Sequence, residues 1–260
     1  MAYCIFWHER VIMMFHGPIL CIPRTEAVRR AGDYLSEAGF HITRTPAPDI
    51  SHVLLPVPSF SAGDEYLAHF LADLPDNVII SGGNLSSPLL EGYATIDFLK
   101  DPYYLAENAA ITASCTLKIL KNKLGTSVKS KQILIIGWGR IGKCLCRLFE
   151  KEGSSVTVAA RKDSDRAIIS ALGNRIISIS EAAAKTEEFD IIINTVPAMV
   201  LPEIKCKEDA LLLELASKPG MSGKNILDCR GLPSKIDPDA SGRLIAKTFL
   251  RLAFGQEVSV

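Results

Sequence analysis

A short glycine-rich segment in the second half of the chain has the spacing of a phosphate-binding loop. Gly137, Gly139 and Gly142 occupy the three glycine positions of a G-x-G-x-x-G pattern. An apolar run at residues 133–136 precedes the pattern and predicts a buried strand, while the residues after it have helical periodicity. Glycines permit a tight turn and a close approach of the backbone to a pyrophosphate, and the N-terminus of the following helix offers free N–H groups. The segment therefore predicts a dinucleotide-binding loop.

The contacts expected from this loop are Gly137, Gly139, Arg140, Ile141 and Gly142. A glycine-rich turn without a ligand is the alternative to a binding loop, and FAD or S-adenosylmethionine are alternative ligands. The strand–loop–helix setting favours a nicotinamide dinucleotide.

The end of the next predicted strand bears on the choice between NADP and NAD. An NAD site commonly has an acidic residue about 20 positions after the first glycine, where it binds the adenosine ribose. Here Arg161 and Lys162 stand at that point, and Asp163 follows them. Because guanidinium and ammonium groups pair with phosphate, the sequence favours NADP, with NAD as the alternative. A solvated basic turn is the competing interpretation.

Two further strand ends supply candidates for the nicotinamide side of the site. The predicted strands end in Asn194-Thr195-Val196-Pro197 and in Glu214-Leu215-Ala216-Ser217-Lys218. In a doubly wound sheet, ligands bind beyond the carboxyl ends of the strands. The residues expected to border the nicotinamide are Thr195, Val196, Pro197, Ala216 and Ser217.

Lys218 is the candidate catalytic residue, because a cation there could bind a substrate carboxylate or transfer a proton. A solvated loop lysine is the alternative. The five histidines all lie in the first half of the chain, so a histidine–acid pair of the 2-hydroxyacid dehydrogenase kind is not expected on the nucleotide-binding half.

The elements that must position these residues alternate between strand and helix, with apolar strands typical of a parallel sheet covered on both faces. The predicted fold class is α/β, with a C-terminal doubly wound Rossmann domain and a smaller N-terminal α/β domain. The expected boundaries are residues 1–102 for the N-terminal domain for substrate or partner, 103–128 for a linking helix, 129–240 for the Rossmann domain and 241–260 for a C-terminal helix. Within the N-terminal domain, residues 65–74 have helical periodicity.

Composition excludes several classes of protein. Lys and Arg number 29, as do Asp and Glu, and this balance argues against a general nucleic-acid-binding protein. The chain has no run of eighteen apolar residues, so no membrane span is expected. The seven cysteines show no zinc-ligand spacing, so no metal site is predicted, and they suit a reducing cytoplasm.

Taken in order, the motifs resemble the family of dipicolinate synthase A subunits from about residue 100 to the end. The matching segments are the run at residues 104–113, the glycine loop at 137–142, Ala160-Arg161, Asn194-Thr195-Val196-Pro197, Ala216-Ser217-Lys218-Pro219-Gly220 and Gly231-Leu232-Pro233. The resemblance implies an oxidoreductase of sporulating bacteria that binds a nicotinamide dinucleotide. It also implies an oligomer with a flavoprotein-like second subunit, and a small cyclic dicarboxylate as substrate. The expected reaction forms dipicolinate from a dihydro- or hydroxytetrahydro-dipicolinate precursor.

Three positions depart from the pattern of that family. Ser114 stands where the family commonly has glutamate, Met221 replaces a second glycine, and Ser234 replaces another. They leave two alternatives open: another NADP-dependent dehydrogenase of the shikimate dehydrogenase kind, or a non-catalytic dinucleotide-binding subunit.

Overall fold

The computed structural model describes residues 17–60, 71 and 74–255. The chain divides into two compact units. The first comprises the chain up to Asn108 together with the part from Pro233 onwards, and the second is Ala109–Leu232. The helix predicted over residues 65–74 falls outside the described residues, apart from positions 71 and 74.

Strands and helices alternate along the described chain. The strands are β1 (Ile19–Cys21), β2 (Ile42–Thr43), β3 (His52–Leu54), β4 (Ile79–Gly82), β5 (Ala94–Asp97), β6 (Gln132–Ile136), β7 (Ser155–Ala159), β8 (Arg175–Ile177), β9 (Ile191–Asn194), β10 (Leu211–Glu214) and β11 (Ile226–Asp228). The α-helices are α1 (Glu26–Glu37), α2 (Pro102–Leu124), α3 (Arg140–Lys151), α4 (Asp163–Ala171), α5 (Ile179–Ala184), α6 (Leu232–Ile236) and α7 (Pro238–Phe254). Short 3-10 helices cover Pro88–Leu90, Phe98–Lys100 and Thr186–Glu188.

The first unit is built on a five-stranded parallel sheet with the order β2-β1-β3-β4-β5. The inner strands carry fully buried apolar side chains such as Leu20, Val53 and Ile80, which form its core. Helix α7 packs against α1, and the Tyr34 hydroxyl donates a 2.6 Å hydrogen bond to the Asp239 carboxylate. The C-terminal segment is thus part of the N-terminal unit.

The second unit contains a six-stranded parallel sheet with the order β11-β10-β9-β6-β7-β8. Alternate residues of β6 enter two separate cores, since Ile133 and Ile135 pack on one face while Leu134 and Ile136 pack on the other. This burial on both faces explains why the strand is apolar throughout. The strand order is that of the doubly wound Rossmann fold, which confirms the predicted fold class.

Several element boundaries differ from the sequence prediction. Helix α3 begins at Arg140, inside the glycine pattern, because the last residues of the pattern form its first turn. Helix α7 begins at Pro238, where Asp237 caps it and proline is favourable at the first position, and it ends at Phe254 before Gly255 with φ +65°. No helix in the described ranges is both long and apolar enough to cross a membrane.

Candidate functional site

The glycine loop connects β6 directly to α3, and each of its three glycines meets a different demand. Gly137 has φ +108°, a conformation that side chains other than glycine rarely adopt. A Cβ at Gly142 would collide with the Gly137 carbonyl oxygen, so this glycine lets the helix start close to the loop. At Gly139 a Cβ would meet no atom of the described chain within 4 Å beyond its neighbours. Gly139 therefore borders open space rather than packing.

Helix α3 begins without a side-chain cap at Gly139. The first N–H groups of an uncapped helix lack partners within the helix and carry a partial positive charge. Arg140 is exposed in this first turn, and Ile141 is half-buried against the core. Backbone donors beside an open space at Gly139 are the arrangement that a pyrophosphate needs, so the loop fits a dinucleotide.

The loops after β9 and β10 lie beside this loop because β9 is the neighbour of β6 in the sheet and β10 the neighbour of β9. The Thr195 hydroxyl donates a 2.8 Å hydrogen bond to the carbonyl of Ile136. Val196 is half-buried, and Pro197 is exposed. The structure thus brings residues 195–197 next to the glycine loop.

The loop after β10 combines buried and exposed residues. Ala216 is buried, whereas Ser217 and Lys218 are exposed. In the part of the chain that the structure describes, Lys218 makes neither a hydrogen bond nor an ion pair with another residue. Its ammonium group is therefore available to a ligand or to solvent.

Asn194 and Glu214 are the two buried polar side chains at these strand ends, with exposed fractions of 0% and 4%. The Asn194 amide donates to the Glu214 carboxylate over 2.8 Å. The sequence analysis did not assign either side chain to the site. A detectable signal was the acid that ends the otherwise apolar Leu211–Glu214, since a carboxylate inside a parallel sheet needs specific partners.

The adenosine side of the predicted site is the β7–α4 turn. Arg161 and Lys162 are exposed there, and within the described ranges neither is engaged in an ion pair. Arg166 lies across the turn, donating to the Arg161 carbonyl over 2.8 Å and pairing with the Asp163 carboxylate. The nearest acid is thus already engaged by a guanidinium, while two cations of the turn face solvent.

Comparisons with known proteins agree with this geometry. Residues 127–216 match the family described as "Acetohydroxy acid isomeroreductase, NADPH-binding domain". The second unit is a Rossmann-type NAD(P)-binding domain. The chain is homologous to the A subunit of dipicolinate synthase from Bacillus subtilis strain 168, with 28% identity over 156 residues, which confirms the resemblance predicted from the motifs. That alignment covers 56% of this chain and 52% of the relative, so it spans about half the relative's length.

Solved structures match over more of the chain. The crystal structure of the dipicolinate synthase A subunit from Bacillus halodurans has a TM-score of 0.74 at 21% identity, covering 92% of this chain and 97% of the other. The corresponding protein from Bacillus subtilis gives 0.73 at 21%, covering 92% and 96%. A transhydrogenase from Sinorhizobium meliloti gives 0.64 at 12%, covering 85% and 79%. These likenesses show the shared α/β fold.

Proposed function

We propose that this protein is an NADP-dependent oxidoreductase subunit that forms dipicolinate from a dihydro- or hydroxytetrahydro-dipicolinate precursor. The observation that carries the proposal is the open glycine loop at Gly139, in a chain whose sequence is homologous to the A subunit of dipicolinate synthase. When bound, the dinucleotide supplies the hydride acceptor. Oxidation of the dihydro ring then removes one hydride and one proton and leaves an aromatic pyridine, and a hydroxytetrahydro precursor first loses water.

The residues of this chain have a limited task in such a reaction. Because aromatisation favours the product, the protein mainly needs to bind and orient a dicarboxylate. The exposed ammonium group of Lys218 is our candidate for holding one carboxylate or accepting the proton. The N–H groups at the start of α3 and the loop at residues 195–197 are our candidates for holding the dinucleotide.

NADP is the proposed cofactor because of the charges on the β7–α4 turn. Arg161 and Lys162 offer two cations to a 2′-phosphate, and Asp163 is paired with Arg166. NAD would instead be favoured by a free carboxylate that accepts hydrogen bonds from the ribose hydroxyls.

The proposed setting is the cytoplasm of a sporulating bacterium, with a flavoprotein-like second subunit in an oligomer. The name of the relatives supports a partner, since both homologues are the A component of a synthase. The described cysteines are all free, as in proteins of a reducing compartment.

A reconstitution assay tests this function. The purified chain is mixed with its flavoprotein-like partner, NADP⁺ and freshly made precursor, and dipicolinate and NADPH are followed by absorbance. We expect both products to appear together in equal amounts, and neither without this chain. NADPH binding without dipicolinate formation would contradict the catalytic assignment.

A non-catalytic dinucleotide-binding subunit is the second candidate. Ser114, which stands where the resembled family has glutamate, is exposed on α2 and has no carboxylate to offer. Met221 is buried and pairs with Leu201, so it contributes packing rather than a polar group. Tight dinucleotide binding with no turnover in the complete mixture would support this candidate.

A further inference from the structure

Glu214 has a buried carboxylate whose hydrogen bonds come from neutral donors. One oxygen, Oε1, accepts from the Asn194 side-chain amide at 2.8 Å and from the Ala216 N–H at 3.1 Å. The other, Oε2, accepts from the Gly220 N–H at 2.8 Å. Two of these donors belong to the backbone of the loop that follows β10. The carboxylate therefore fixes both ends of that loop.

Asn194 extends the same network to the neighbouring strand. Its Nδ2 also donates to the Val196 carbonyl at 3.0 Å, and its Oδ1 accepts from the Val196 N–H at 3.0 Å. The loop after β9 is thereby tied to the same carboxylate. Gly220 confirms how closely the loops approach, since a Cβ there would lie 2.8 Å from the Val196 carbonyl oxygen.

A buried carboxylate is an expensive way to hold two loops together for stability alone. Removing a charge from water costs several kcal/mol, and apolar packing often stabilises as well or better. The benefit of the carboxylate is directional, because it orders N–H groups on both loops with little freedom. Both loops also lie beside the glycine loop, through the Thr195–Ile136 hydrogen bond.

We propose that Glu214 is a positioning residue for the nicotinamide end of the bound dinucleotide, acting through Asn194 on the loops at residues 195–197 and 215–220. This inference rests on the proposed placement of the nicotinamide at those loops. The pyrophosphate and the adenosine ribose are assigned to other residues, at the glycine loop and at Arg161. Disturbing Glu214 should therefore affect one end of the ligand and spare the other.

The test compares two ligands by calorimetry: NADPH, and 2′-phospho-ADP-ribose, which lacks the nicotinamide ring. In Glu214→Gln, the amide can retain the two bonds at Oε1, but its NH₂ group then faces the Gly220 N–H and leaves that donor unpaired. We expect about a tenfold loss of NADPH affinity, the scale of an unpaired buried donor, with less than about a twofold change for the fragment. Glu203→Gln, the same change at an exposed residue of the same unit, is the matched control and should alter neither.

Asn194→Ser provides a second variant that keeps the carboxylate but removes its side-chain donor, and it should show the same split between ligands. Thermal unfolding establishes that each variant is folded. An equal loss for both ligands would overturn the positioning role and make the network a general structural support. Wild-type protein that binds the fragment as tightly as NADPH would also overturn it, because the nicotinamide would then not be held. Failure of wild-type protein to bind either ligand would instead contradict the proposed function.

Discussion

The Thr195 hydroxyl reaches the Ile136 carbonyl at 2.8 Å, and the Thr195 N–H reaches the same carbonyl at 2.9 Å. Ile136 is the last residue of β6 and immediately precedes Gly137. A Cβ at Gly137 would collide with the Thr195 side chain and lie 2.9 Å from that of Val196. Gly137 is thus fixed by packing against the β9 loop as well as by its backbone conformation, whereas Gly139 is not. The two glycines should respond differently to substitution.

Gly139→Val should remove dinucleotide binding and leave the fold intact. The new side chain would enter open space, so we expect little change in the unfolding temperature. It would occupy the path of the pyrophosphate, so NADPH affinity should fall by more than about tenfold, or 1.4 kcal/mol. Calorimetric titration and thermal unfolding measure the two effects.

Gly137→Val is the matched comparison and should destabilise the protein itself, because φ +108° and the contact with Thr195 both oppose a side chain. If Gly139→Val binds NADPH as wild type does, the loop is not the binding site.

Arg161→Ala should weaken NADPH binding and leave NADH binding unchanged. The guanidinium is exposed, and its proposed partner is the 2′-phosphate, which NADH lacks. A charge-assisted hydrogen bond predicts a loss of about 1.5–3 kcal/mol for NADPH. Titration of both cofactors measures the difference.

Arg175→Ala is the control, since Arg175 is an exposed arginine at the start of β8, the opposite end of that strand's neighbour β7. Equal weakening of NADPH and NADH by Arg161→Ala, or wild-type protein that prefers NADH, would refute the predicted cofactor preference.

The sequence was sufficient for the Rossmann unit because its signals are local. An apolar run, three spaced glycines and a periodic helix lie in one continuous segment, and the strand order follows from the fold they define. The sequence did not indicate β2 or β5, which are short edge strands with partly exposed residues and therefore no apolar run. It could not indicate the Asn194–Glu214 bond either, because the partners are 20 residues apart and meet only when β9 pairs with β10.

Asp101→Ala should destabilise the first unit. The Asp101 carboxylate is 8% exposed and accepts from the Arg251 guanidinium at 2.5 Å and from the Tyr104 N–H at 2.6 Å. The substitution removes the ion pair and the bond to the first turn of α2 together. Because Arg251 keeps some access to water, we expect a loss of about 2–4 kcal/mol in the free energy of unfolding, measured with urea.

Glu107→Ala is the comparison for an exposed pair. Its partner Lys247 is 3.1 Å away, and both side chains are nearly half exposed. The loss there should stay below about 1 kcal/mol. Similar effects for the two variants would show that the Asp101 pair is no stronger than a surface pair.

His52→Gln should reduce the acid sensitivity of the fold. Burial lowers the pKa of His52 from 6.5 to about 4, and its ring lies 5.8 Å from that of Phe249 and 5.7 Å from that of Phe254. The folded protein therefore holds this imidazole neutral at pH values where the unfolded chain protonates it. Stability from this group is complete above about pH 6.5 and falls as the pH drops toward 4, by up to about 3 kcal/mol. Below pH 4 both states bind the proton, and the loss does not grow further.

The measurement is the free energy of unfolding in urea at several pH values between 7 and 4. Because carboxylates titrate in part of the same range, the informative quantity is the difference between wild type and His52→Gln. We expect the wild type to lose more stability than the variant as the pH falls, although the variant starts lower at pH 7, having lost ring contacts. His41→Gln, at an exposed histidine of the same unit, should follow the wild-type curve. Parallel curves for wild type and His52→Gln would mean that the folded protein accommodates the protonated imidazole, for example by exposing it beside α7.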